Sequence, residues 1–210
     1  MPKKIAIFLN HPKCSVQSVN GVIEALPKYQ FKIFTKHRVE ASFFDDVHMV
    51  CFPGGLGDSD SFDTLLKENQ DAVKKFVQQG RPYLGICMGA YWCDRLYFNF
   101  LKSTRVVQYI KVGGTCTKRP HAKAIPVIWN NQADHMFFYD GCTFKGGDYV
   151  TVATYARTGY TMAMVQENIG LIGCHPEATK HWFDIYRYTQ PYWHGGRHYQ
   201  LLNQFVKKLL

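Results

Sequence analysis

Three short segments hold residue types able to do covalent chemistry together. In Gly85-Ile-Cys87-Met-Gly89 a thiol sits between two glycines, directly after the apolar run Tyr83-Leu-Gly-Ile86. A nucleophile on a sharp strand-to-helix turn needs glycine two residues to either side, because side chains there would clash. The turn lifts the thiol over the sheet's end, and the helix N-terminus beyond it favours a thiolate. The second segment, Phe52-Pro-Gly54-Gly55, ends another apolar run. A glycine N–H there, from Gly55, could join that of Met88 to receive the oxyanion of a tetrahedral intermediate. The third, His175-Pro-Glu177, follows the apolar residues 169–174. His175 could take the thiol proton while Glu177 orients the imidazole and stabilises its charge. Each segment alone is an ordinary glycine turn or loop; together, each at the end of an apolar strand, they describe acyl transfer through Cys87.

The elements that must position these groups are legible as periodicities. Residues 5–9, 31–35, 47–52 and 82–86 are short apolar runs, the signature of strands buried on both faces. Helical spacing occupies 15–26, which stops before Pro27, and 62–79, with Gly80 just past its end; a further helix is expected from Gly89 onward. This β-α-β-β-α-β-α order predicts a flavodoxin-like, doubly wound α/β fold with a mainly parallel sheet. Between 106 and 166 the runs become short, aromatic or β-branched, broken by Gly113-Gly114, Asn130-Asn131 and Gly146-Gly147. They predict an antiparallel, β-rich extension, with a hairpin over 150–155 and 161–165 and another formed by 125–129 with its neighbours. Residues 169–174 read as one more buried strand and 198–210 as a closing helix. At 210 residues, with no repeat or linker, the chain is expected to be a single domain over 1–210.

Composition narrows the function classes. The net charge of +9 is spread over single residues and pairs, the densest cluster being Lys118-Arg119-Pro-His121-Ala-Lys123, so nucleic acid is not the expected partner. The seven cysteines lack a Cys-x-x-Cys spacing, which argues against a metal site and for a reducing compartment. The N-terminal apolar run is too short for a signal peptide or a membrane span, and a cytoplasmic protein without membrane contact is expected. Other polar candidates have plainer readings. His11 and Cys14 suit a solvated loop, Asp58 and Asp60 a helix cap, and Cys93 and Cys174 core packing. Tyr192-Trp-His194 with Arg197 and His198 reads as an aromatic loop covering the surface.

The chain resembles the class I glutamine amidotransferase-like superfamily, whose triad joins a cysteine in a Gly-x-Cys-x-Gly elbow to a distant His-x-Glu. Within it, the closest resemblance is to the N-terminal domain of large biotin–protein ligases. The carrying stretches are Phe52-Pro-Gly-Gly55, Gly85-Ile-Cys-Met-Gly-Ala-Tyr-Trp92, Gly113-Gly114 and His175-Pro-Glu177. The resemblance implies Cys87, His175 and Glu177 as the triad, with no metal or organic cofactor. Gly54 and Tyr91 would shape the substrate site. Two positions depart from the wider pattern: Tyr91 replaces the glutamine usual four residues after the nucleophile, and Met88 replaces the histidine of the protease-like branch. With no ligase catalytic domain following, ligase activity is not implied. The expected substrate is a small polar amide other than free glutamine, with an unidentified protein partner also open. The rival reading is a regulatory or binding module that keeps the triad without turnover, and a remoter one is a basic protein associated with nucleic acid.

Overall fold

Alternation along single strands decides the architecture. In β1 (Lys4–Phe8), Ile5 and Ile7 enter one hydrophobic cluster while Ala6 and Phe8 enter another. A strand that buries both faces must be covered on both faces. The computed structural model, which describes residues 2–13, 15–55 and 59–210, shows what covers them. The chain runs from β1 through α1 (Val16–Ala25), β2 (Gln30–Phe34) and β3 (Met49–Phe52) to α2 (Ser59–Leu66). It continues as α3 (Gln70–Gln78), β4 (Tyr83–Ile86) and the single turn α4 (Met88–Tyr91). The second half holds β5 (Arg105–Gln108), β6 (Lys123–Trp129), β7 (Gln132–Phe138) and β8 (Cys142–Lys145). Then come β9 (Val150–Tyr155), β10 (Thr161–Gln166), β11 (Ile169–Ile172), α5 (Lys180–Asp184) and α6 (Arg197–Leu209).

Among the described residues nine strands form one sheet in the order β2-β1-β3-β4-β11-β10-β9-β6-β7, and β5 pairs with β8 separately. From β2 to β11 all pairings are parallel, the flavodoxin-like arrangement. From β11 to β7 all are antiparallel, which is the extension expected from the second half. Asn130 and Asn131, with φ of 51° and 60°, make the tight turn between β6 and β7. One face packs under α1 and α6 through Val19, Val22, Leu202 and Phe205. The other packs under α2 and α3 through Phe62, Leu66, Val73 and Phe76. Among the described residues no helix is long and apolar enough to cross a membrane.

Two helix expectations need correction. The pattern over 62–79 is broken into α2 and α3, because buried Asn69 spends its side chain elsewhere. Its Oδ1 accepts from the Val39 N–H at 3.0 Å, and its Nδ2 donates to the carbonyls of Thr35 and His37, each at 2.9 Å. An amide that serves a crossing loop in this way competes with helix continuation. The helix after the elbow is only the one turn of α4. Beyond it the chain coils back so that the Phe98 N–H bonds the Trp92 carbonyl at 2.9 Å, and Trp92 is enclosed by Phe8, Phe52 and Phe62.

The elbow glycines are required by packing. A Cβ on Gly89 would stand 2.0 Å from the Phe52 carbonyl oxygen, and one on Gly85 would stand 2.5 Å from that of Gly89. Neither neighbour is a flexible side chain that could move. Gly89→Ala should therefore cost about 3 kcal/mol or more. Gly113→Ala, with nothing within 4 Å of the added carbon, should stay within about 0.5 kcal/mol of wild type. Urea unfolding of the two variants checks this contrast.

Candidate functional site

β4 lies between β3 and β11 in the sheet, so the loops leaving these three parallel strands emerge side by side. They carry Gly54-Gly55, Cys87 and His175-Pro-Glu177 respectively. The three segments singled out in the sequence are thereby brought to one sheet edge, where open α/β folds bind their ligands. Cys87 has φ 50° and ψ −99°, a backbone region that residues with a side chain rarely occupy. The strained turn is held by the Cys87 N–H to the Ile172 carbonyl, at 2.8 Å.

Behind Cys87 runs a buried polar chain. His175 shares a cavity with Cys87, whose sulfur acts on its charge, and its Nδ1 lies 2.8 Å from Glu177 Oε1. Glu177 is fully buried and His175 nearly so. Burial pulls the imidazole down, but the Glu177 carboxylate and the Cys87 sulfur outweigh it and push His175 up to about 10. The ring is also packed by Trp182, at 5.3 Å between centroids, and the His175 backbone N–H donates to the Phe137 carbonyl at 2.9 Å.

Sequence reasoning missed one member of this chain. Ser18, fully buried on α1, donates its hydroxyl to Glu177 Oε1 at 2.6 Å and accepts the Gly54 N–H at 2.9 Å. α1 comes this close because Gly21 has no side chain; a Cβ there would meet the Glu177 carbonyl oxygen at 2.2 Å. The Gly54 carbonyl in turn accepts from the Ser15 N–H at 3.1 Å. Any side chain at Gly54 would press on His175 Cε1, 2.6 Å from the added carbon. Gly54 therefore shapes the site by being absent of bulk, with its own N–H already committed to Ser18.

Cys87, Gly54, Gly55 and His175 share a cavity of about 380 Å³, whose other walls include Lys13, Gln17, Phe137, Tyr139, Trp182 and Tyr186. The thiol has the Tyr139 carbonyl as an acceptor at 3.6 Å. Met88 buries its side chain in the core beside α4, and its N–H belongs to the first helical turn, where no carbonyl one turn back is available. Tyr91 is placed differently from expectation. It is not among the residues lining this cavity, and its hydroxyl is shared between the carbonyls of Asp140 and Gly141, both at 3.1 Å. It props the segment that presents the Tyr139 carbonyl, so its effect on the site is indirect.

The remaining candidates among the described residues fall outside the cluster. His11 is exposed, and Asp60 lies in the first turn of α2, while Cys14 and Asp58 lie outside the described residues. Burial pushes the thiols of Cys93, Cys142 and Cys174 well up, as expected of packed sulfur. Tyr192 stacks on His135, and Trp193 and His194 pack against Phe183. Among the described residues no group of three metal-ligating side chains comes together.

The fold is that of glutamine amidotransferase structures. A glutamine amidotransferase from Thermotoga maritima superposes with a TM-score of 0.68 at 12% identity, covering 100% of this chain and 98% of its own. PurLQS from Thermotoga maritima gives 0.68 at 14% identity, with 100% of both chains covered. Another glutamine amidotransferase gives 0.66 at 17% identity over 97% of each chain. Identities this low speak to the fold alone. No curated protein gives a significant match. Residues 7–114, just over half of the chain, match the family described as "Biotin-protein ligase, N terminal", and the chain belongs to that family.

Ser18→Ala removes the hydroxyl that joins a buried carboxylate to a buried backbone N–H. It should cost about 2–4 kcal/mol of stability, since the buried Gly54 N–H is left without a bond and Glu177 Oε1 keeps only His175. Chemical denaturation checks this, with Gln17→Ala on the same helix, exposed, as the near-neutral control.

Proposed function

We propose that this chain is a cysteine-dependent amide hydrolase or amidotransferase-type enzyme, working as one domain over residues 1–210 on a small polar amide other than free glutamine. The observation that carries this reading is that Cys87 and His175 meet at one cavity, with His175 Nδ1 hydrogen-bonded to the buried Glu177.

The proposed reaction begins with the Cys87 thiolate attacking the amide carbon. A C–S bond forms, and the carbonyl π pair moves to oxygen as a tetrahedral oxyanion. Gly55 and Met88 are our choice of N–H donors for that oxyanion. In support, the neighbouring Gly54 N–H is already taken by Ser18, and Gly55 and Cys87 line the same cavity. As the oxyanion collapses, the C–N bond breaks and the leaving nitrogen takes its proton from the His175 imidazolium. The neutral imidazole then takes a proton from water, whose oxygen attacks the thioester. The C–S bond breaks, the acid departs, and the imidazolium–thiolate pair is restored. Glu177 keeps the ring oriented and balances its charge throughout. These steps call on no further reagent than water.

Glutamine fits this cavity poorly. Its α-carboxylate could pair with Lys13, but its α-ammonium finds no carboxylate among the described lining residues. A second reading has one observation in its favour. Tyr139, Ile185 and Tyr186, all at the cavity, are 52%, 53% and 42% exposed, and an aromatic rim of this kind suits a binding module that does not turn over.

Incubation with a panel of amides and activated esters, followed by peptide mass spectrometry, should find an acyl adduct on Cys87 and none on Cys93, Cys142 or Cys174. The adduct should vanish in Cys87→Ala, and Cys87-dependent ammonia release from free glutamine should be at background. Acylation of another thiol, or robust glutamine hydrolysis, contradicts the reading.

A further inference from the structure

The order of strands determines what stands on either side of Cys87, and this bears on which amide the proposed site takes. On one side of β4 come β3 and β1, and the loop after β1 supplies Lys13, with Gln17 following on α1. On the other side comes β11 with His175, and beyond it Phe137, Trp182 and Tyr186. Phe137 is bridged to His175 through the backbone, and Trp182 packs on the imidazole ring. The cavity is thus cationic towards β1 and aromatic beyond the histidine. Lys13 has no ion pair among the described residues, and no carboxylate among them lines the cavity.

The chemistry orients a substrate within this asymmetry. A general acid must lie within hydrogen-bond reach of the nitrogen it protonates. The leaving amine therefore lies on the His175 side of Cys87, against the aromatic wall, and the acyl substituent extends the other way, towards Lys13. We infer that the site takes N-aryl amides of a short acid carrying a distal carboxylate: the amine half planar and apolar, the acyl half anionic. Aromatic side chains hold a flat ring by stacking and edge contacts. A lone lysine at the cavity offers a point charge to a carboxylate. The cavity, about 380 Å³, lies near the small end of the ~300–1,000 Å³ typical of ligand sites, which suits one ring and a short chain. The inference rests on the proposed roles of Cys87 and His175.

Binding to the Cys87→Ala variant, measured by calorimetry, tests recognition without turnover. The probes are N-phenylsuccinamic acid, acetanilide without the carboxylate, succinamic acid without the ring, and N-benzoyl-β-alanine with the amide reversed. N-phenylsuccinamic acid should bind tightest, by about tenfold over each of the others. Adding Lys13→Glu should erase its advantage over acetanilide, and adding Tyr186→Ala should erase its advantage over succinamic acid. Both residues lie at least partly in solvent, so the fold should survive each change. Equal affinities, tighter binding of the reversed amide, or no binding of any probe would overturn the inference. With wild-type protein, a succinyl thioester on Cys87 supports both halves of the account. The expected binding order without that adduct upholds the recognition and contradicts the nucleophile.

Discussion

A fully buried carboxylate governs this structure. Withdrawing the charge of Glu177 from water costs several kcal/mol unless strong donors replace the solvent. The fold supplies two, the Ser18 hydroxyl and the His175 ring, both on Oε1. That requirement ties α1, the loop after β3 and the loop after β11 into one junction, since Ser18 also takes the Gly54 N–H. It explains why two glycines stand where they do. Gly21 lets α1 reach the Glu177 backbone, and Gly54 leaves room for the imidazole.

The junction has an electrostatic consequence at the cavity. A carboxylate that cannot be relieved by solvent favours a positive charge on its neighbour, and His175 is that neighbour. Trp182 and Phe137 close over the ring and keep the local dielectric low. His175 meets, at one cavity, Cys87 on its strained turn at the end of β4. The other buried thiols lie in apolar packing or beside tyrosine hydroxyls, as Cys93 does with Tyr83 and Cys174 with Tyr155. Position in the fold separates one sulfur from the rest.

Much of this was legible in the sequence, for a physical reason. Strands buried on both faces leave unbroken apolar runs, and an elbow leaves glycines at fixed offsets, so Cys87, Gly54 and His175-Pro-Glu177 could be set at one sheet edge. What escaped notice depends on long-range contact. Ser18 sits between Val16 and Val19 like any polar helix residue, and its partner is 159 residues away. The break at Asn69 is caused by a loop that crosses from β2. Tyr91 lies where a pocket residue was expected, yet two carbonyls of the 140–141 segment draw its hydroxyl away. The aromatic wall, with Trp182 on α5, belongs to a stretch whose pattern suggested no element.

The central claim is that the buried Glu177 holds His175 as an imidazolium facing Cys87. Nitrogen NMR of the His175 ring across a pH titration measures this directly, with His175→Gln for assignment. The account predicts a doubly protonated ring well above the ordinary histidine value near 6.5, releasing its proton only towards about 10. A ring that titrates at or below the ordinary value, with Cys87 in place, would contradict it.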